Sequence, residues 1–269
     1  MDVLAESLYY KHFDQAERVR WRMCDIPWDS IEKDKVSQGW IDVVRITLDA
    51  ESTTFQATER FLSEWAGDVD FTQWLSVWLY EETKHPSALL RWLSAFGATV
   101  SPAQMLAARQ TQPFVRSKMA TLCMNIMSEL VASSLYVTLH RYSPEPVLAM
   151  IGGFLAGDEA RHASHFFNYA KKLLENAADD AERDRLRREA MQVLSFWVAS
   201  RKKVTHPVSV VFNKFESNEA IRKALPSHLL DETMDRATNK MFGMMSKLVG
   251  STLRSVDDVH EVLGALWAS

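Results

Sequence analysis

The chain has 269 residues, 47% hydrophobic and 25% charged, with nine glycines and eight prolines, a composition that excludes collagen-like, low-complexity and largely disordered chains. Thirty-one Lys and Arg stand against 35 Asp and Glu, a formal charge of -4, so the bulk basicity that marks nucleic-acid binders is absent and no nucleic-acid partner is expected. Two cysteines, Cys24 and Cys123, are too few for a disulfide framework and form no CxxC pair, which fits a cytoplasmic setting.

Residues 1–6 lack the basic start and apolar run of a signal peptide. The N-terminal 34 residues, with Trp21, Ile26, Pro27 and Trp28, read as an irregular or short-helical wrap. Beyond them, apolar residues recur every three or four positions and Gly and Pro collect at segment ends, the period of helices rather than strands. A first long helix is predicted over about 35–65, ending at Gly67, and a second over about 72–96, ending at Gly97. Ser101-Pro102 opens a connection. A third helix is predicted over about 113–141, stopped by Ser143-Pro144-Glu145-Pro146, and a fourth over about 146–176. A charged amphipathic helix follows near 180–203, then a break at His206-Pro207, helical material at about 229–248 and a last short helix at about 257–267. No composition shift marks a boundary. The expectation is therefore one all-α domain over 1–269: a four-helix bundle at about 35–176, with accessory helices at about 180–267 packed on it. The longest apolar stretches, near 122–139 and 147–156, are broken by Asn125 and Glu129 or too short to cross a bilayer, so no membrane span is expected.

Two helices carry matching motifs, Glu81-Glu82-Thr83-Lys84-His85 on the second and Asp158-Glu159-Ala160-Arg161-His162 on the fourth. Helical residues three apart lie about 60° apart around the axis, so Glu82 and His85 share a face, as do Glu159 and His162. Glu51 stands 31 positions before Glu82, and Glu129 stands 30 positions before Glu159. That spacing runs out one helix, turns and returns to the same level. A single Glu-x-x-His is most often a surface ion-pair pattern; two copies with matched upstream glutamates point to six groups converging in a core. Four carboxylates balance two divalent ions, and oxygen-rich mixed ligation suits two iron ions or an iron–manganese pair rather than closed structural zinc. Metal-bound histidines usually give their other N–H to a carboxylate. Asp158 is expected to take that of His85, and Glu81 that of His162. Pro86 removes a helical N–H beside His85, so a kink or loosening is expected there.

At these residues the chain resembles ferritin-like di-iron carboxylate oxidoreductases, with soluble acyl-acyl-carrier-protein desaturases looking closest over about residues 40–176. Their two motifs read Glu-Glu-Asn-Arg-His-Gly and Asp-Glu-Lys-Arg-His. The stretch from Leu89-Leu90-Arg91-Trp92-Leu93 to Gly97 is also similar in character. The sequence departs from those desaturases at Ala132, where they carry a threonine. Leu89 stands where ribonucleotide reductase small subunits have their radical tyrosine, and Leu155 stands where arylamine N-oxygenases have a third histidine. The resemblance implies an oxygen-dependent desaturase or hydroxylase acting on an apolar small molecule or acyl-carrier-bound substrate. It also implies an external electron donor, a ferredoxin or a reductase. A ferroxidase or iron-binding ferritin-like protein, or an N-oxygenase, is the alternative. A homodimer is left open.

Candidate lining residues for a substrate channel are Phe55, Trp78, Met127, Ser133 and Phe154, with Leu48 and Met119, although core packing is the commoner use of such side chains. The basic runs Arg183-Asp184-Arg185-Leu186-Arg187-Arg188 and Arg201-Lys202-Lys203 could dock an acidic carrier, but more often such runs are solvated helix faces.

Overall fold

The structure, a computed structural model, describes residues 7–109, 117–199 and 207–268. Every regular element in them is helical, and no strand occurs among the described residues. Helix α1 spans Leu8–Val19, and three short 3-10 turns follow at Met23–Asp25, Trp28–Ser30 and Lys33–Lys35. The expected N-terminal wrap thus contains a full helix of 12 residues. Ser7 caps it, and Asp70 accepts from the Leu8 and Tyr9 amides at 3.3 and 3.0 Å. Midway along α1, the His12 ring stacks on that of His165, with centroids 3.9 Å apart.

The segment expected as one helix over 35–65 is two: α2 at Gln38–Glu51 and α3 at Thr54–Glu64. The break has a local cause. The hydroxyls of Ser52 and Thr53 donate to the carbonyls of Leu48 and Ala50 at 2.9 and 2.8 Å, the competition with backbone bonding that bends or ends helices at such residues. Helix α4, Val69–Ser94, starts at Asp68, whose carboxylate accepts from the Phe71 amide at 3.0 Å, and it stays helical through Pro86.

Helix α5, Pro102–Arg109, occupies the stretch read as a connection. Helix α6 is Lys118–Tyr142 and α7 is Pro146–Glu175; residues 113–116 of the expected third helix lie outside the described residues. The turn between α6 and α7 is fixed by buried Glu145. Its carboxylate accepts from the Val147 and Leu148 amides at 3.0 and 2.8 Å, satisfying the open N-terminus of α7. The same carboxylate accepts from the Trp92 indole at 2.8 Å and the Glu32 amide at 3.3 Å, tying α4 and the N-terminal wrap to that turn. Helix α6 is long and apolar enough to cross a membrane by length and composition, but most of it is buried inside the protein.

The described part of α8 spans Asp180–Ala199, so Arg201, Lys202 and Lys203 lie outside the described residues. Two helices then occupy a region for which the sequence suggested only a break: α9 at Pro207–Ser217 and α10 at Glu219–Ala224. Pro207 sits at a first helical position, where its missing N–H costs nothing, and Asn218 caps α10 by accepting from the Ile221 amide at 3.2 Å. Helices α11, Ser227–Val249, and α12, Val256–Ala268, complete the chain.

Helices α2 and α3 pack along α4, α6 packs along α7, and α4 meets α7. Around them, α1 covers α4 and α7, α9 and α10 lie on α2, α11 lies on α6 and α8, and α12 lies on α8. The approach of α6 to α7 is close at Gly152: a Cβ there would sit 2.9 Å from the backbone nitrogen of His140 and 3.1 Å from the Tyr136 carbonyl oxygen. Gly157, on the same helix, has nothing within 4 Å of that position. Gly152→Val is therefore expected to destabilise the protein by about 1–3 kcal/mol through overpacking, whereas Gly157→Ala stabilises it by about 0.5–1 kcal/mol or leaves it unchanged. Thermal denaturation of the two variants checks the contrast.

Candidate metal centre

Glu51 is the last residue of α2, Glu129 lies in the middle of α6, and the two Glu-x-x-His pairs lie one turn apart on α4 and α7. All six side chains are buried, the most exposed being Glu51 at 8%. They form two tetrads: Glu51, Glu82, His85 and Glu159, and Glu82, Glu129, Glu159 and His162. Within each tetrad the potential ligand atoms all lie within 4.8 Å of one another. Glu82 and Glu159 belong to both.

The sharing is resolved atom by atom. Glu82 turns Oε2 toward His85 Nδ1, at 3.8 Å, and Oε1 toward His162 Nδ1, at 2.8 Å. Glu159 does the same with Oε1, 3.3 Å from His85 Nδ1, and Oε2, 3.5 Å from His162 Nδ1. Glu51 stands on the His85 side at 3.3 Å and Glu129 on the His162 side at 3.9 Å. Each half therefore has one imidazole and one carboxylate of its own, and two carboxylates lie between the halves.

Both histidines present Nδ1 to this cluster and Nε2 away from it. His85 Nε2 lies 3.2 Å from Asp158 Oδ2, and His162 Nε2 lies 3.0 Å from Glu81 Oε2. Both contacts expected from the sequence are thus present, each running from one motif helix to the other. An ionised carboxylate only accepts, which places an N–H of each ring on Nε2 and makes Nδ1 the lone-pair donor once the ring is neutral. The two outer carboxylates are held in turn. The Trp21 indole donates to Asp158 Oδ2 at 2.8 Å, and Arg161 Nη2 donates to Asp158 Oδ1 at 2.6 Å and to Glu81 Oε1 at 3.1 Å. Arg20 Nε donates to Glu81 Oε1 at 3.3 Å, and Lys84 Nζ lies 3.7 Å from Asp158 Oδ2.

The electrostatics divide the acids into two groups. Burial pushes Glu51 up to about 7, with only part of the shift offset by its hydrogen bond with His85. Burial, then repulsion from Glu159, pushes Glu129 well above the usual carboxylate range. Glu159 goes the other way, because its close contacts with Glu129, His162 and His85 outweigh burial. Burial favours neutral imidazoles, but Glu82 foremost at His85 and Glu159 at His162 hold both above the usual range. Outside the cluster, burial opposes ionisation of Glu81 and Asp158. The bond from His162 and the charge of Arg161 nevertheless take Glu81 down to about 2, and the bond from His85 depresses Asp158 further. The outer acids are thus fixed anions, while Glu51 and Glu129 favour their protonated forms wherever no cation neutralises them.

The residues around His162 are compatible with a metal ion on an observation independent of that charge balance. Glu82 Oε1, Glu159 Oε2 and His162 Nδ1 are buried and close together, yet none makes an aligned hydrogen bond among the described residues. Buried polar atoms are nearly always satisfied, and these three all face the interior of one tetrad. A divalent ion there would satisfy all three.

Three residues that touch this centre escaped the sequence reading. The Tyr136 hydroxyl donates to Glu51 Oε1 in a short hydrogen bond; Tyr136 lies seven residues after Glu129, two turns on along the same helix face, a spacing that could have pointed to it. Thr54 donates to Glu82 Oε2 at 3.1 Å, and it lies three residues after Glu51. Trp21 was read as part of the wrap, and nothing in its spacing ties it to Asp158.

The expected channel residues scatter. The Trp78 ring meets His162 edge to face, with centroids 6.4 Å apart, and its buried Nε1 has no partner among the described residues. Met127, Leu48 and Met119 are fully buried core side chains, and Phe55 is half-buried. Ser133 donates to the Ala156 carbonyl at 3.1 Å, closing α6 onto α7. Phe154 stacks on Trp21 at 5.3 Å, which places it beside the outer carboxylates. The basic run on α8 is met by nearby acids: Arg183 pairs with Asp180, Arg185 with Glu182 and Glu189, and Arg187 with Asp184. Cys24 is exposed and Cys123 buried, and neither forms a disulfide.

The chain matches no protein-family model, and no curated protein matches it.

Metal uptake is expected to release protons. Glu51, Glu129 and both imidazoles favour their protonated forms without metal and must lose those protons to ligate, so affinity for a divalent ion rises with pH through the range around 7. Calorimetric titration with Mn(II) in two buffers of different ionisation enthalpy, at several pH values, measures the release. Uptake without net proton release near pH 6.5 would contradict this electrostatic description.

Proposed function

We propose that the protein is a ferritin-like four-helix bundle that holds two iron ions, or one iron and one manganese, and uses them to oxidise an apolar or carrier-bound substrate with dioxygen. The observation that carries this reading is the pair of shared carboxylates, each with one oxygen toward each histidine, flanked by one further carboxylate on either side. The pairing of α2–α3 with α4 and of α6 with α7, joined where α4 meets α7, supports the bundle. Two reduced irons held there supply a four-electron reduction of dioxygen once a substrate gives two electrons and an external donor, a ferredoxin or a reductase, gives the other two.

The chain's own residues have distinct tasks in this scheme. Glu51 and His85 would hold one ion, Glu129 and His162 the other, and Glu82 and Glu159 would serve both. Asp158 and Glu81 hold the histidine rings in the orientation and tautomer that ligation needs. Tyr136 and Thr54 fix the oxygens of Glu51 and Glu82 that they bond. Trp78, edge to face with His162, helps keep water from that half of the cluster.

Loading with Fe(II) under anaerobic conditions is expected to give two ions per chain by elemental analysis, and admitting oxygen to consume it in proportion to the iron bound. Glu129→Ala or His162→Ala should abolish the two-ion stoichiometry; unchanged metal content in either variant would refute the site. Continued oxidation of added Fe(II) with many ions retained per chain would instead favour the ferroxidase alternative.

A further inference from the structure

The outer carboxylates and the histidines form a closed circuit. From Arg161 it runs through Asp158 to His85, across the shared carboxylates Glu82 and Glu159 to His162, then through Glu81 back to Arg161. Among the described residues three cations touch the outer acids, and two of them touch one each: Arg20 reaches Glu81, and Lys84 reaches Asp158. Arg161 reaches both, through the same nitrogen, Nη2, at 2.6 and 3.1 Å. Its side chain is only 12% exposed, so water does little to screen these contacts. That one shared nitrogen sets the separation of Asp158 and Glu81, and with it the relative placement of the two imidazoles they orient.

We propose that Arg161 is a positioning residue that couples the two halves of the metal centre, so that ordering one histidine by metal also orders the other and the second ion binds more tightly than the first. The inference rests on the two-ion reading above. Its physical content is a coupling between two sites through one shared, nearly buried cation. Couplings of this kind commonly amount to roughly 5- to 150-fold in affinity. With tenfold coupling between otherwise equal sites, about a quarter of the molecules carry a single ion at half saturation; with none, about half do.

Native mass spectrometry during titration of the metal-free protein with Co(II) reads this population directly. Wild type is expected to pass mainly from metal-free to two-ion protein. Arg161→Gln is expected to bring the one-ion species to about half of the molecules or more at half saturation, half being the minimum for uncoupled sites. Arg161→Lys, which keeps the charge but ends one bond short of the position of Nη2, is expected to fall at or near the same value. Arg20→Gln and Lys84→Met, each removing a cation that holds a single carboxylate, are expected to weaken binding at one half and to leave the coupling closer to that of wild type. Circular dichroism of each metal-free variant verifies that the helices persist, and Arg161→Lys carries the test if Arg161→Gln does not fold. A wild-type chain that takes up two ions without coupling overturns the inference. So do an Arg161→Gln or Arg161→Lys variant as strongly coupled as wild type, and an equal loss of coupling in Arg20→Gln. A wild-type chain that takes up no Co(II) overturns the two-ion reading and this inference with it.

Discussion

Burying Glu51, Glu82, Glu129 and Glu159 within reach of one another imposes a condition that the rest of the structure has to meet. Removing one ionised carboxylate from water costs several kcal/mol even after the protein relaxes, and four in one place repel as well. Two imidazoles inside the cluster offset part of this, and proton sharing, with Glu51 raised to about 7, offsets more. Neither gives Glu82 Oε1, Glu159 Oε2 and His162 Nδ1 an aligned hydrogen bond among the described residues. A pair of divalent cations meets the charge and the unsatisfied atoms together. That economy is the physical ground for the proposed function.

Around this cluster the charges are layered. The inner acids face the imidazoles, the outer acids Asp158 and Glu81 face the backs of the same rings, and Arg20, Lys84 and Arg161 lie outside those. Each layer has the opposite tendency to the one it touches, so no carboxylate of the outer layer is left unbalanced. The outermost layer depends on the N-terminal wrap. Arg20 and Trp21 leave α1 at its C-terminal end, and α1 is held at its start by Asp70 and at its middle by the stacked His12 and His165. A segment remote in sequence from the motifs therefore closes the polar shell around them.

The candidate site was legible because its information is local: two Glu-x-x-His pairs fix two helix faces, and the matched distances to Glu51 and Glu129 fix which helices return to them. The partners of the two histidines followed from the acids adjoining the ligand glutamates. What spacing could not supply were partners brought in by tertiary packing, such as Trp21 and its bond to Asp158. The fold was legible where apolar periodicity was long and unbroken, as in α4, α6 and α7. It failed where side-chain hydroxyls compete with the backbone, at Ser52 and Thr53, and where short helices begin at residues that also mark breaks, at Pro207 and Asn218. Aromatic composition alone could not tell a lining residue from a packing one. Trp78 meets a histidine of the cluster, whereas Phe154, chosen by the same criterion, stacks on Trp21 outside it.

The break after α2 makes the two halves of the centre mechanically unequal. Glu129 projects from the middle of a 25-residue helix, with hydrogen-bonded turns on both sides. Glu51 is the final residue of its helix, where the backbone is least constrained and the negative end of the helix dipole disfavours a carboxylate. Tyr136, rooted in the rigid interior of α6, bonds that carboxylate and supplies the stiffness its own backbone lacks. Two helices thus fix the Glu51 carboxylate together, α2 through its backbone and α6 through the Tyr136 hydroxyl.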